Sequence, residues 1–363
     1  MMVTRTGCLG FCQREPLVDV LRPGWPRITY CKMTPERAKK VVNELAQGKL
    51  KREWVLAKVE EEEFLIEGKV RKYPLNGLPK GIDEIPLYRD IPFYKKQMKI
   101  AMRNCGLIDP EKIDEYIVRG GYQSLHKVLT QYPPDEVIEE IRKSGLRGRG
   151  GGGFLTGRKW YYCRKAHGDK KYVICNADEG DPGAYMDRSV LEGDPHSILE
   201  GMIIGAYAIG AHEGYIYVRA EYPLAVKILR EAIGQAEEYG FLGSNIFGSD
   251  FNFSIQINRG GGAFVCGEST ALMASLEGKV GEPRAKHIHT VESGLWEKPT
   301  NLNNVETWAN IPVIIARGPD WFSKIGTKES KGTKVFSLVG KIENTGLVEV
   351  PMGITLREII YGI

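Results

Sequence analysis

From about Lys170 the chain alternates strand-like and helix-like segments. YVICNA (172–177), YIYVRA (215–220) and FSIQINR (253–259) carry the β-branched and aromatic residues of buried strands. Between the first two, Asp194 stands as the cap of a helix beginning at Pro195, with Gly201, Gly205 and Ala208 on one closely packing face. Leu224 to Tyr239 reads as a second, amphipathic helix. Strands joined through helices imply an α/β core with a largely parallel sheet. In such sheets ligands sit beyond the carboxyl ends of the strands, here Asn176 to Gly183 and Arg259 to Thr270.

The flanks read differently. TGCLGFCQREP (6–16) puts Cys8 and Cys12 on a tight glycine-containing turn, and Pro35 to Ala46 is a helix capped by Thr34. From Lys51 to Asp90 charge runs and turns read as a linker, followed by short helices at 94–105, 110–120 and 134–144. At the far end VFSLVG and TGLVEVP form a β-hairpin, with a helix starting at Thr355; a hairpin and one helix are not a complete folding unit, so the chain is expected to stop inside a domain. Lys and Arg number 50 against 46 acids, which argues against a polyanion binder driven by bulk charge. Seven cysteines with one close pair fit a reducing compartment, with metal binding favoured over disulfides. The longest apolar stretch, Ile198 to Ala211, contains Glu200 and is too short to span a bilayer; with no export signal, a soluble cytoplasmic protein is expected.

Glycine is over-used, at 43 of 363 residues, so the backbone must approach something closely in several places. Five glycines fall within Arg147 to Gly153, and eight Lys or Arg lie between Arg142 and Lys165 without an acid. Gly148, Gly150 and Gly153 match G-x-G-x-x-G, but a helix precedes them where the dinucleotide fingerprint needs a strand. Bare amides and a helix start near Thr156 suit a phosphate; a flexible basic loop meeting nucleic acid is the alternative. CNADEGDPGAY (175–185) crowds Asp178, Glu179 and Asp181 at a strand end, either to meet ligand donors or as a solvated acidic turn. INRGGGAFVCGEST (257–270) supplies a second glycine turn before a helix near Ser269, and Cys266 there reads as a small buried residue. Asn303 and Asn304 stand at an expected helix start, where asparagine is normally a cap and two in succession can cap and also donate to a ligand phosphate. His287 and His289 lie in a basic strip with Arg284 and Lys286, either a surface loop or a phosphate-facing one.

Taken together, GLRGRGGGGF, CNADEGDPG, FVCGESTALMASLEG and SGLWEKPTNLNNVET resemble the flavoprotein subunit of respiratory complex I and its soluble relatives, over about Asn104 to the end. The wording EGDPGAYMDRSVLEGDPHSILE is closer to the soluble branch, the flavin subunits of NAD(P)-dependent, often electron-bifurcating hydrogenases and formate dehydrogenases. TGCLGFCQREP resembles the second half of a thioredoxin-like [2Fe-2S] domain. The resemblance implies a partial thioredoxin-like segment (1–56), a linker and helical lead-in (57–103), a Rossmann-like FMN- and NAD(P)-binding domain (104–330) and the start of a β-grasp, ubiquitin-like SLBB domain (331–363).

By motif position, Gly148, Gly150, Gly151, Lys159, Asn176, Asp178, Glu179, Gly267, Glu268, Asn303 and Asn304 would contact FMN. Phe154 would stack on the nicotinamide, with Asp181, Ser269 and Lys286 along the pyridine nucleotide, and Cys8 and Cys12 would be half of a [2Fe-2S] site. The implied chemistry is hydride exchange between NAD(P)H and FMN with no acid or base residue, single electrons then passing to iron-sulfur clusters. Implied partners are NADH or NADPH, a thioredoxin-like [2Fe-2S] subunit and a hydrogenase- or formate-dehydrogenase-type catalytic subunit. No nucleic acid and no membrane insertion are expected. A [4Fe-4S] motif would lie beyond Ile363, and a complex I subunit proper is the alternative. Asp181 and Ser269 stand where complex I members usually carry glutamates, which leaves NADPH open as the nucleotide.

Overall fold

The structure, a computed structural model, describes residues 2–73, 81–285 and 288–363. Its first part is a three-stranded antiparallel sheet of β1 (Val18–Val20), β2 (Arg27–Tyr30) and β3 (Val55–Val59), with α1 (Pro35–Ala46) between β2 and β3. Helix α1 begins where expected, the Thr34 hydroxyl accepting from the Arg37 amide. The stretch read as a linker is partly sheet. Strand β3 crosses the boundary drawn at residue 56, and β4 (Glu61–Phe64) pairs with β5 (Lys69–Lys72). The glutamates of β4 are tolerated because Lys72 lies 3.4 Å from Glu61, while Arg119 lies 2.7 Å from Glu62.

Four short helices follow: α2 (Pro92–Lys95), α3 (Ile113–Val118), α4 (Gln123–Gln131) and α5 (Pro134–Ser144). The helix expected over 94–105 is not formed. The buried Glu349 carboxylate takes the amides of Ala101 and Met102, both at 2.9 Å, and holds the segment in turns. Helix α4 lacks a local start signal. The residue that opens it, Tyr122, is left-handed (φ 62°), and the buried Glu200 carboxylate accepts from the Tyr122 and Leu125 amides, each at 3.0 Å.

The core begins with α6 (Thr156–Lys165), then β6 (Tyr172–Ala177), α7 (Met186–Gly193), α8 (Pro195–Ile209), β7 (Glu213–Arg219), α9 (Pro223–Glu238), β8 (Ser254–Gly260), α10 (Ser269–Leu276), β9 (Thr300–Asn304) and α11 (Val305–Arg317). The four strands form one parallel sheet in the order β8-β7-β6-β9. Chain progression therefore reverses between β6 and β9, the topological switch point at which open α/β sheets bind ligands. Strand β9 is the one the sequence conceals. TNLNN carries no β-branched alternation, yet Thr300, Asn301 and Asn303 are all buried.

Helix α8 is apolar on almost every side because it is buried on almost every side. The expected small-residue face is present: a Cβ on Gly201 would fall 2.2 Å from the Trp308 carbonyl oxygen, so α8 rides directly on α11. Trp160 and Trp308 fill the space beside it, ring centroids 5.7 Å apart, and truncating either would cost about 3–5 kcal/mol. Asp194 precedes α8 as expected, but its side chain does not cap. It accepts from Asn104 Nδ2 at 2.9 Å. After α12 (Pro319–Ser323), β10 (Thr333–Leu338) and β11 (Gly346–Pro351) form the expected hairpin, and α13 (Leu356–Gly362) starts on a Thr355–Glu358 capping box.

Candidate FMN and nucleotide cleft

The cleft gathers at the carboxyl ends of β6 and β9, where Asn176 is the register partner of Asn304 and Cys175 that of Asn303. Two close approaches bring glycine turns onto these ends. A Cβ on Gly150 would meet the Asn304 Cβ at 3.1 Å, and one on Gly267 would meet the Asp178 carbonyl oxygen at 3.3 Å. The loop 148–153 and the turn 261–267 therefore stand as two walls against the carboxyl ends of β6 and β9.

In the glycine loop, positive φ at Gly151 (102°) and Gly153 (60°) turns the backbone sharply. Around Gly151, Gly152 and Gly153 no atom lies within 4 Å of a would-be Cβ. Among the described residues no acceptor meets the amides of Gly150 to Gly153. Unbonded amides ahead of the first turn of α6 form an anion-binding nest. The arginines of the loop do not add to it. Buried Arg149 donates to the carbonyls of Arg147, Lys331 and Thr333, and Arg147 to those of Glu329 and Gly153. They pin the loop, which is ordered structure and no flexible basic tail. Lys159, from α6, does reach the cleft floor, donating to the Leu302 carbonyl at 2.8 Å and to Asn303 Oδ1 at 3.3 Å.

The strand-end wall separates residues with open valences from residues that brace. Among the described residues both carboxylate oxygens of buried Asp178 lack a hydrogen-bond partner, and burial raises its pKa to about 6. The Asn303 Nδ2 amide is likewise buried and unpartnered. Glu179, the next residue after Asp178, is fully engaged: it accepts from the Asp187 and Arg188 amides at 3.1 and 3.2 Å and from the Tyr222 hydroxyl, so it caps α7 from a distance. Burial raises its pKa as well. Glu268 caps α10, accepting from the Thr270 and Ala271 amides at 2.8 and 3.0 Å. Asn176 ties the walls together, donating to the Gly267 carbonyl at 2.9 Å and accepting from the Asp178 amide at 3.0 Å. Asn304 is the cap of α11, accepting from the Glu306 amide and donating to Asp187 at 2.5 Å.

A flavin mononucleotide fits this donor set on two observations: orphaned buried acceptors and donors at the switch point, and a glycine cradle that side chains would fill. Of the expected nucleotide contacts, Phe154 is 47% exposed beside the loop, Asp181 is exposed, and the Ser269 hydroxyl donates to Glu268 at 3.0 Å. Lys286 and His287 lie outside the described residues. Sequence reasoning gave no contact role to Phe264, which is 67% exposed and whose ring lies 2.7 Å from a would-be Cβ on Gly180. A phenylalanine standing between glycine turns was the available signal.

Residues 141–313 match the family model of the Nuo51 FMN-binding domain. These residues, just under half of the chain, are similar to that domain family. The chain is 63% identical over 269 residues to the NADP-reducing hydrogenase subunit HndC of Solidesulfovibrio fructosivorans, covering 74% of this chain and 54% of that protein. It is also 52% identical over 249 residues to an NADH-quinone oxidoreductase subunit of Aquifex aeolicus, covering 69% and 58% respectively. Among solved structures, an NAD+-reducing [NiFe]-hydrogenase in its H2-reduced state superposes with a TM-score of 0.64 at 28% identity, over 92% of this chain and 50% of that one. The chain thus spans little more than half the length of the curated relatives it matches.

The amino-terminal cysteines lie against this domain. Cys8 and Cys12 Sγ are 3.8 Å apart, Cys8 donates to Glu15 at 3.0 Å, and Cys12 Sγ is 3.4 Å from the hydroxyl of Tyr185, on the same loop as Asp178. The Cys8 thiol holds the pKa of Cys12 down to about 7. A [2Fe-2S] cluster takes four protein ligands; these two thiols and one carboxylate within 4.8 Å do not hold one by themselves among the described residues. No helix among the described residues is long and apolar enough to cross a membrane.

Proposed function

We propose that this chain is the flavin subunit of an NAD(P)H:acceptor oxidoreductase of the soluble hydrogenase and formate dehydrogenase type, with FMN in the strand-end cleft and the pyridine nucleotide entering over the glycine loop. The observation that carries the reading is the pair of buried, unpartnered Asp178 oxygens beside Gly267, at the switch point that also holds the unpartnered Asn303 amide. The loop amides of Gly150 to Gly153 would take the FMN phosphate, Asp178 and Asn303 would meet ring and ribitol donors and acceptors, and Lys159 would sit between them. Asn176, Glu179, Glu268 and Asn304 hold those groups in place. Bound FMN supplies the exchange between two-electron nicotinamide chemistry and one-electron carriers. The protein contributes orientation: Phe154 offers a ring face at the mouth, and no side chain need move a proton.

Cys8 and Cys12 are proposed as two ligands of a [2Fe-2S] cluster, and the partners as iron-sulfur subunits of a multisubunit complex. An NADH-quinone oxidoreductase flavoprotein is the second reading, favoured by the identity to the Aquifex aeolicus protein. The higher identity to the hydrogenase subunit and the Cys8–Cys12 segment favour the first.

The test is anaerobic reconstitution of the chain with FMN, followed by titration with NADH and with NADPH while the flavin's visible absorbance is recorded. Bleaching by either supports the reading. Failure to bind flavin would overturn it.

A further inference from the structure

One cation at the mouth of the cleft is held in a way the others are not. Arg158, exposed on the first turn of α6, places its guanidinium 6.0 Å from the centroid of the Phe154 ring and 5.9 Å from that of Tyr162. The Tyr162 hydroxyl accepts from Nη2 at 3.0 Å. Arg158 and Tyr162 are four residues apart and share one face of α6, while Phe154 lies in the glycine loop just before the helix and brings its ring to the same guanidinium. Phe154 and Tyr162 are 47% and 41% exposed, and no carboxylate among the described residues pairs with Arg158. Most other arginines named at the cleft are bound to an acceptor of the protein: Arg147 and Arg149 to loop carbonyls, Arg219 to Glu221 and the Glu179 carbonyl, Arg284 to the Ser293 carbonyl; exposed Arg259, at the end of β8, shows no acceptor among the described residues but has no aromatic cradle such as Phe154 and Tyr162 give Arg158. Beyond the bond to the Tyr162 hydroxyl, the remaining donors of the Arg158 fork meet no acceptor among the described residues.

We infer that Arg158 recognises the 2′-phosphate of NADPH, making it the residue that sets nucleotide preference at this site. The inference rests on the nucleotide reading above. Phosphates that enter the cleft itself meet the unbonded loop amides. Arg158 stands outside them, beyond the Phe154 ring, at the solvent edge of any group lying on that ring. A guanidinium held between two aromatic faces matches a phosphomonoester dianion in geometry and charge, and it forms two parallel charge-assisted hydrogen bonds. Tyr162 is a positioning residue here: its ring and hydroxyl preset the fork, so less side-chain freedom is lost on binding.

The probes are adenosine 5′-monophosphate and adenosine 2′,5′-bisphosphate, which differ only in the 2′-phosphate, titrated calorimetrically into the FMN-loaded full chain. The wild type is expected to bind the bisphosphate at least about 10-fold more tightly, and Arg158→Ala to lose that preference while its affinity for the monophosphate stays within about 2-fold. Arg158→Lys should retain part of the preference, and Tyr162→Phe should reduce it by about 2- to 3-fold. Thermal melting of each variant reports folding, and exposure of Arg158 predicts no change. A wild type that binds both probes equally, or an Arg158→Ala variant that loses affinity for both alike, overturns the proposal and leaves the nucleotide reading standing. Binding of neither probe, with no bleaching by NADH or NADPH, overturns both.

Discussion

The two walls of the cleft are built on opposite plans. The glycine loop offers backbone: among the described residues its amides from Gly150 to Gly153 are unbonded, its cations are tied back to carbonyls, and open space surrounds three of its residues. The strand-end wall offers side chains, and nearly all of them are cross-braced, with Asn176 on Gly267, Glu179 on α7, Glu268 on α10 and Asn304 on α11. A wall of bare amides can be damaged only by adding atoms to it. A wall of side chains can be damaged one group at a time, and the damage divides into lost ligand contacts and lost scaffold.

The largest effect should come from filling the loop. Gly150→Val puts branched carbon where a single Cβ already meets Asn304 at 3.1 Å, so FMN affinity, read by quenching of flavin fluorescence, should fall at least about 100-fold. Gly152→Ala, in open space, should stay within about 3-fold; equal losses in the two variants would break the contrast between a tight and an open stretch of the same loop.

Next comes Asp178→Asn, which replaces one of two acceptor oxygens with an amide donor and should weaken FMN about 10-fold. The same change should stabilise the flavin-free protein. The folded pKa of Asp178, about 6, lies above the value of 3.8 for an unperturbed aspartate, so the folded state binds more protons than the unfolded one between those values. Wild-type stability therefore falls as pH rises through that window, and the penalty is complete above about pH 6. With partial solvent screening, the variant should gain about 1–2 kcal/mol at pH 7 in urea melts, shrinking to nothing below about pH 4. A gain that persists in acid would rule out the desolvated carboxylate as its source.

Glu179→Gln should do the reverse. It weakens a remote cap of α7 and should cost about 1 kcal/mol of stability while moving FMN affinity by less than about 3-fold. Smallest is the asparagine pair. Asn304→Ala loses a cap, about 1 kcal/mol in thermal melts, whereas Asn303→Ala should leave stability within about 0.5 kcal/mol and weaken flavin by about 3-fold. Exchanged outcomes for the two positions would reverse the division between scaffold and ligand.

What could be read from sequence follows how local the determining interaction is. Tyr172–Ala177 is the expected strand to the residue, and α1 begins at its Thr34 cap, because apolar runs and adjacent caps are written in neighbouring residues. The expected polar residues do assemble at the β6 and β9 ends. Their division into braces and open groups was hidden, since it depends on partners such as the Asp187 amide and the Gly267 carbonyl. Helices α4 and α7 were missed because Glu200 and Glu179 start them from other parts of the chain, and the 94–105 helix was overturned by Glu349 in the same way. Buried carboxylates acting at long range are the recurrent reason. Strand β9 was missed for its composition: Thr300, Asn301 and Asn303 are residue types at home in turns, and only their burial beside β6 makes them a strand.

The order of the sheet also sets a timetable for synthesis. Strand β6 is complete by Ala177, but its neighbour β9 arrives only at Thr300–Asn304, and the pairing between them closes a chain separation of more than a hundred residues. Until the ribosome has released that stretch, one edge of β6 is unpaired and the floor of the cleft does not exist. Flavin capture is therefore a late event in the life of the nascent chain, and a ribosome-bound chain halted before Thr300 should emerge colourless and expose a sheet edge to whatever chaperone meets it first.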